Sequence, residues 1–189
     1  LSNAAEIAGR HSKGDHVVLS SRVRLARNVN GRTFPGRAKK GDRVETCGLI
    51  QPAVSGLSAM RGGYSESMAN LKALEKQLLV ERHHISREHA AKSTGSALII
   101  NKDQTVCVMI NEEDHLRMQA LMPGLQLKQV WQKIDRIDTS LEKKLEYAFD
   151  ERLGYLTACP TNLGTGIRVS AMLHMPGLVL QEQVNQIVQ

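Results

Sequence analysis

Aromatic residues are scarce in this 189-residue chain: one Trp, three Tyr and two Phe, 3% in all. That scarcity weakens a reading as a single-strand nucleic-acid binder, which stacks bases on rings. Cysteine is sparse too. Cys47, Cys107 and Cys159 are odd in number and far apart. Their placement excludes a disulfide scaffold and a CxxC metal site, and it suits a reducing compartment. No apolar run approaches the roughly 20 residues that cross a bilayer, and no charged-then-apolar leader opens the chain. A cytoplasmic protein with no membrane partner is the expectation. Hydrophobic residues at 41% and charged residues at 23% are ordinary globular values, so disordered and collagen-like chains are excluded as well. The chain opens at Leu1, and Ser2-Asn3-Ala4 reads as an expression remnant. Residues 1–14 are therefore read as a lead segment and 15–189 as one domain, or part of a larger one.

What is present is an uneven charge. The net charge is +6, which makes an anionic partner plausible. Arg22, Arg24, Arg27, Arg32, Arg37, Lys39, Lys40 and Arg43 stand against Asp42 alone, so this span carries +7 and the rest sums to −1. Guanidinium groups offer planar forks of donors that suit phosphate. Nucleotide phosphates and a nucleic-acid backbone both fit, although the lack of aromatics disfavours the second. Residues 32–43, rich in Gly, Pro and charge, read as a solvated basic loop.

Periodicity supplies the elements. The run His16-Val17-Val18-Leu19-Ser20 is β-prone and leads into the arginines. Leu49 to Gly63 shows no clear period. Glu66 to Arg82 reads as a helix, with Met68, Leu71, Leu74, Leu78 and Leu79 near i, i+3, i+4 spacing. Ala97–Ile100 and Val106–Ile110, separated by turn residues, form a hairpin pattern, with a third strand through Leu116 and Met118. Leu127 to Phe149 carries the strongest helical stripe. Gly154–Cys159 and Ile167–Met175 read as strands, and Leu178 onward as an amphipathic helix. The expected fold class is α+β, a mainly antiparallel sheet flanked by helices.

Three segments carry chemistry. In Ser20-Ser21-Arg22-Val23-Arg24, a strand would put Arg22 and Arg24 on one face, two forks for one anion. Asn111-Glu112-Glu113-Asp114-His115-Leu116-Arg117 places three consecutive carboxylates at a strand end, where they repel one another. They form either a solvated turn or a site for a cation, Mg²⁺ or a guanidinium. Cys159-Pro160-Thr161-Asn162-Leu163-Gly164-Thr165-Gly166-Ile167-Arg168 is a glycine-containing loop between strands. Its glycines let backbone N–H groups approach a ligand. Cys159 is either a buried apolar residue or a thiol among cationic groups.

Together these motifs resemble the phosphagen (guanidino) kinases, the ATP:guanido phosphotransferases. Phe149 to Thr157, Pro123 to Leu127, Met172 to Pro176 and the short lead before Ser20 resemble the bacterial protein-arginine kinase branch of that family. The similarity runs from Asp15 to Gln189 and is poorest over residues 32–63. The resemblance implies that Arg22, Arg24, Arg117 and Arg168, with Ser21, bind the phosphates of ATP, which carries Mg²⁺. It implies that Glu113 holds the acceptor guanidinium as catalytic base and that Cys159 lies beside it. Asp114 would orient its neighbours. No metal ligand set is expected of the protein itself. In the family another phosphate-binding arginine and a second guanidinium-binding glutamate lie further downstream. In this branch a C-terminal helical domain for dimerisation and phosphoarginine binding follows. The family domain would then continue past Gln189.

The resemblance implies protein substrates bearing arginine, an activator protein, a Clp protease and a stress-response role. Two alternatives stand beside it: a kinase of free arginine or another small guanidino compound, and a nucleotide-binding pseudokinase. His83 and His84 have no assigned role.

Overall fold

The computed structural model describes residues 17–188. In chain order the elements are β1 (Val18–Arg27), α1 (Lys40–Ser55), β2 (Tyr64–Ser67), α2 (Ala73–Glu81), α3 (Arg87–Ala90), β3 (Ala97–Ile100), β4 (Val106–Ile110), β5 (Leu116–Pro123), α4 (Leu127–Glu142), β6 (Phe149–Asp150), β7 (Gly154–Tyr155), β8 (Ile167–Leu173), α5 (Pro176–Leu180) and α6 (Val184–Val188). Six strands form one sheet in the order β2-β3-β4-β5-β1-β8, and β6 and β7 form a small ribbon. Every strand pair is antiparallel. The expected α+β class is what the chain adopts.

Strand alternation sorts the side chains onto two faces. Val23, Leu25, Ile99, Val108, Met118 and Ala120 face α1 and α4, where Ile50, Val54, Val130, Ile134 and Leu141 complete the main core. On the opposite face Leu98, Ile100, Cys107 and Met109 join Met68 and Ile85 in a smaller core, with Leu79 of α2 and Ala90 of α3 packed against it. Those helices cover only the β3–β4 half of that face. One rung of the sheet runs Ile100, Cys107, Gln119, Arg24, Arg168. The next runs Leu98, Met109, Arg117, Ala26. The same face is thus apolar under the helices and lined with arginines beyond them.

Several elements differ from the periodicity reading. The basic stretch ends in α1, a 16-residue helix where a loop and an aperiodic run are expected. Its buried face is only Thr46, Cys47, Ile50 and Val54, too thin a stripe to stand out among Gly41, Gly48 and Pro52. The Asp42 carboxylate accepts from the Lys39 N–H at 3.0 Å and anchors its start,. The stretch expected as one helix from Glu66 is strand β2 to Ser67, then α2 from Ala73. The stripe from Leu127 ends at Glu142 as helix. Past it, Glu146 and Ala148 exchange backbone hydrogen bonds with Asn30 and Asn28, extending β1 instead. Regular strand after Gly154 stops at Tyr155. The last helix is split in two, with Glu182 at φ +55° in the break. The lead segment 1–14 lies outside the described residues. Among the described residues no helix is long and apolar enough to cross a membrane.

Candidate active site

β1, β5 and β8 place their arginines by register alone. Arg24 lies directly opposite Arg168, and Arg117 sits on the neighbouring strand opposite Ala26. Arg22 is two residues along β1, its Nε donating to Ser170 Oγ at 3.4 Å. Four guanidinium groups on three adjacent strands repel one another. Partial burial lowers the Arg22 pKa, and the charges of Arg117 and Arg168 lower it further. Arg24 is brought down to about 10, by burial first and then by Arg22, Arg117 and Arg168. Arg24 Nε is enclosed with no acceptor. A cluster of forks with unspent donors on an open sheet face is a receptor for a multiply charged anion.

The carboxylate turn stands at the end of β4, at one side of these arginines. Asn111 opens it at φ +56°, a left-handed conformation that Asn tolerates better than most side chains,. Its amide donates to Arg43 O and Gly95 O at 2.9 and 2.7 Å. The three acids then diverge. Glu112 is buried: its Oε1 accepts from Arg117 Nη1 at 2.6 Å and from Ser86 Oγ at 2.5 Å. Burial raises its pKa, but the hydrogen bonds from Arg117 and Ser86 outweigh it and hold the group below the ordinary value. Asp114 is also buried and accepts from Asn28 Nδ2 at 2.6 Å and from the Ala158 N–H at 2.7 Å. It ties β1 to the segment that leads to Cys159. Glu113 alone is exposed. Its pKa is raised, by partial burial first and then by the Asp114 and Glu112 charges, with Arg117 opposing. The shift moves it towards the neutral range that suits a general base.

His115 locks this turn to β1. Its Nδ1 accepts from the Val29 N–H at 3.1 Å, which leaves Nε2 to donate to Thr33 O at 3.0 Å. Its backbone N–H donates to Asn28 Oδ1 at 2.9 Å. Burial pushes the imidazole pKa down, consistent with a neutral ring.

The glycine loop completes the cleft. Gly166 sits at φ +66°, and a Cβ there would stand 2.5 Å from Ala26 O. Arg27 binds this loop from below: its Nη1 donates to Thr165 O at 2.8 Å, and its Nη2 pairs with Asp138 on α4 at 2.7 Å. Its guanidinium lies 3.6 Å from the Tyr155 ring centroid. Cys159 is partly exposed, with its Sγ 2.9 Å from Thr161 Oγ1.

Arg24, Arg117, Arg168, Glu113 and Cys159 line one cleft of about 670 Å³. The structure thus brings together five of the seven residues expected at the site, with Arg22 on the same face. Ser21 is the exception and corrects the expectation. As an odd-numbered neighbour of the arginines it points to the core face, fully buried. Its Oγ donates to Gly124 O at 2.7 Å and accepts from the Gln126 N–H at 2.9 Å. It joins β1 to the start of α4 and faces away from the cleft. Sequence reasoning missed Ser86 and Asn28, whose roles are contacts between distant segments. It also missed Glu88 and Lys92, which line the cleft wall. A partner for Arg117 was legible in principle, since Glu112 flanks the same turn. Among the described residues no group of three or more His, Cys, Asp and Glu side chains could hold a metal.

Known proteins resemble this chain in sequence and in fold. The chain is 43% identical to a protein-arginine kinase of Halothermothrix orenii over 96% of this chain and 52% of that protein. It is 42% identical to a protein-arginine kinase of Symbiobacterium thermophilum over 99% of this chain and 54% of that protein. The chain therefore spans about half the length of the curated relatives it matches. Among solved structures, the duplicated taurocyamine kinase of Schistosoma mansoni with bound transition-state analogue components superposes with a TM-score of 0.84 at 28% identity. That match covers 94% of this chain and 26% of the other. Lombricine kinase superposes at 0.77 and 28% identity, over 96% of this chain and 55% of the other. Residues 49–189 match the family described as ATP:guanido phosphotransferase, C-terminal catalytic domain, and the chain belongs to that family.

Proposed function

We propose that this chain is the core of a protein-arginine kinase, which moves the γ-phosphoryl group of ATP to the guanidinium of arginine side chains. The observation that carries the reading is one cleft with two chemistries. Three arginines line its phosphate side and an exposed glutamate with a raised pKa lines the other. The names of relatives 41–44% identical support a protein acceptor.

Arg22, Arg24, Arg117 and Arg168 hold the ATP phosphates and neutralise charge as the γ-phosphoryl group transfers. Glu113 binds the acceptor guanidinium. That group is protonated at neutral pH and is a poor nucleophile until a carboxylate takes a proton. The nitrogen forms a bond to phosphorus, the bond from phosphorus to the β–γ bridging oxygen breaks, and its electron pair leaves with ADP. The proton goes to Glu113. Cys159 packs beside the acceptor. Mg²⁺ enters on the nucleotide, because it binds chiefly through substrate phosphates and water and needs few protein ligands. We place residues 15–189 in one catalytic domain and the protein in the cytoplasm. An activator protein and a Clp protease are the partners this reading brings, in a stress response.

The test offers Mg-ATP and the full-length gene product an arginine-rich protein and, separately, free arginine. Acid-labile phosphate is then sought by mass spectrometry under neutral handling. Label on protein is expected. Label on free arginine alone would favour a small guanidino acceptor, as the names of the taurocyamine and lombricine kinases suggest. Label on neither would leave a nucleotide-binding module without transfer. Glu113→Gln is expected to cut transfer by roughly 10²–10⁴-fold while nucleotide affinity stays within about twofold. Retained transfer would refute the base assignment.

A further inference from the structure

A second cleft, of about 440 Å³, opens on the helix-covered half of the sheet, away from the arginine cleft. It lies between α2, β2 and the turn from β3 to β4. Leu71, Leu78, Leu79 and Ile100 form its apolar walls. Small-molecule sites have volumes of roughly 300–1,000 Å³ and mainly apolar walls with a few converging polar groups. Leu78 is 38% exposed, so the apolar wall faces open space.

Arg82 is the polar group that gives this cleft a preference. It lines the cleft at the end of α2, and its Nε and Nη1 are enclosed with no acceptor. Enclosed donors without acceptors are costly. A guanidinium offers paired donors along two edges, Nε with Nη2 and Nη1 with Nη2, and either edge fits a carboxylate. Lys102 adds a second positive charge to the lining. The one acid among the lining residues, Glu75, is already engaged: its carboxylate accepts from the Lys72 N–H at 2.7 Å, at the start of α2. We propose that this cleft binds a small apolar carboxylic acid. The carboxylate takes the Arg82 fork, which swings into the cleft on its long side chain, and the apolar body lies against Leu71, Leu78, Leu79 and Ile100. The inference does not rest on phosphoryl transfer.

The test titrates the 189-residue chain with 4-phenylbutyrate and octanoate, and with their carboxamides, while following leucine and isoleucine methyl signals by NMR. The acids are expected to shift the methyls of Leu71, Leu78, Leu79 and Ile100, and the carboxamides to bind at least about tenfold more weakly, the worth of a charge-assisted hydrogen bond. Arg82→Gln is expected to remove that difference, and Arg24→Gln to leave it intact. Equal binding of acid and carboxamide to the unmodified chain would overturn the proposal, whatever the variants do. So would loss of binding in Arg24→Gln alone, which would mark capture on the arginine face, or no binding of either acid.

Discussion

One face of the sheet carries two opposite surfaces. Under α2 and α3 its rungs hold Leu98, Ile100, Cys107 and Met109, all buried. Three strands further, the rung of Ile100 and Cys107 holds a half-buried Arg24 and an exposed Arg168, which line a shared cleft. Strand alternation sets the face, and the helices set the environment. Where helices cover the sheet, the side chains contribute hydrophobic burial. Where nothing covers it, the arginines crowd at the expense of stability, and an anion relieves the crowding. The seam between the two is polar and hydrogen-bonded. Gln119 Nε2 donates to His83 O at 2.6 Å and to His84 O at 3.2 Å, holding the segment after α2 down on β5. Glu112, bonded to Ser86 before α3 and to Arg117 on β5, ties the covering helices to the first arginine.

If this division is right, changes on the covered half act on stability and changes on the open half act on binding. The largest stability effect is expected from Leu98→Ala, at a residue with no exposed surface. It should cost about 2–5 kcal/mol in urea unfolding, from lost burial and the cavity left behind. ATP affinity of the remaining folded fraction should stay within about twofold. A loss of affinity larger than the loss of folded protein would break the division.

The seam comes next. Glu112→Gln keeps the shape but removes the charge that holds Arg117, and about 1–3 kcal/mol should be lost at pH 7. The sign of its pH dependence follows from the lowered pKa. The folded state binds the proton less readily than the unfolded one, so the carboxylate stabilises the fold above the ordinary glutamate value of 4.5,. That stabilisation disappears as pH falls through the folded pKa. Wild type and variant should therefore converge in acid and diverge above it. Curves that stay parallel would show that Glu112 acts through packing alone.

Much of this division was legible in the sequence, for identifiable reasons. The β3–β4 hairpin stood out because both strands are buried on both faces and read as unbroken apolar runs. The stripe of α4 stood out because Val130, Ile134, Ile137 and Leu141 meet the core at helical spacing. Arg22 and Arg24 were readable as a pair because a strand fixes the face of i and i+2. The same rule, applied one residue earlier, turns Ser21 away from the site, and motif membership hid that. Where a helix stops was less legible. α4 ends because residues 146–148 pair with β1, a tertiary contact that the continuing apolar stripe conceals. α1 was missed because Ile50 and Val54 alone carry most of its apolar burial, and basic residues dominate its start. Ser86 and Asn28 gave no local signal, since their partners lie 26 and 86 residues away.

The smallest stability effect, and the sharpest test of the open half, is expected from Arg24→Met. Arg24 makes no ion pair among the described residues, its Nε has no acceptor, and three other guanidinium groups surround it. Removing its charge therefore forfeits little and relieves repulsion. Unfolding free energy should change by no more than about 0.5 kcal/mol, the usual range for surface changes, and in the stabilising direction if in either. The remaining stem keeps its apolar contact with the sheet. Added salt should raise the wild-type melting temperature more than the variant's, because screening relieves a repulsion the variant has already lost. Mg-ATP affinity should nevertheless fall by about 10- to 100-fold, the worth of a charge-assisted hydrogen bond to phosphate. A variant that instead unfolds by 2 kcal/mol or more would make Arg24 a structural member of the sheet, and the two halves of this face would no longer differ in kind.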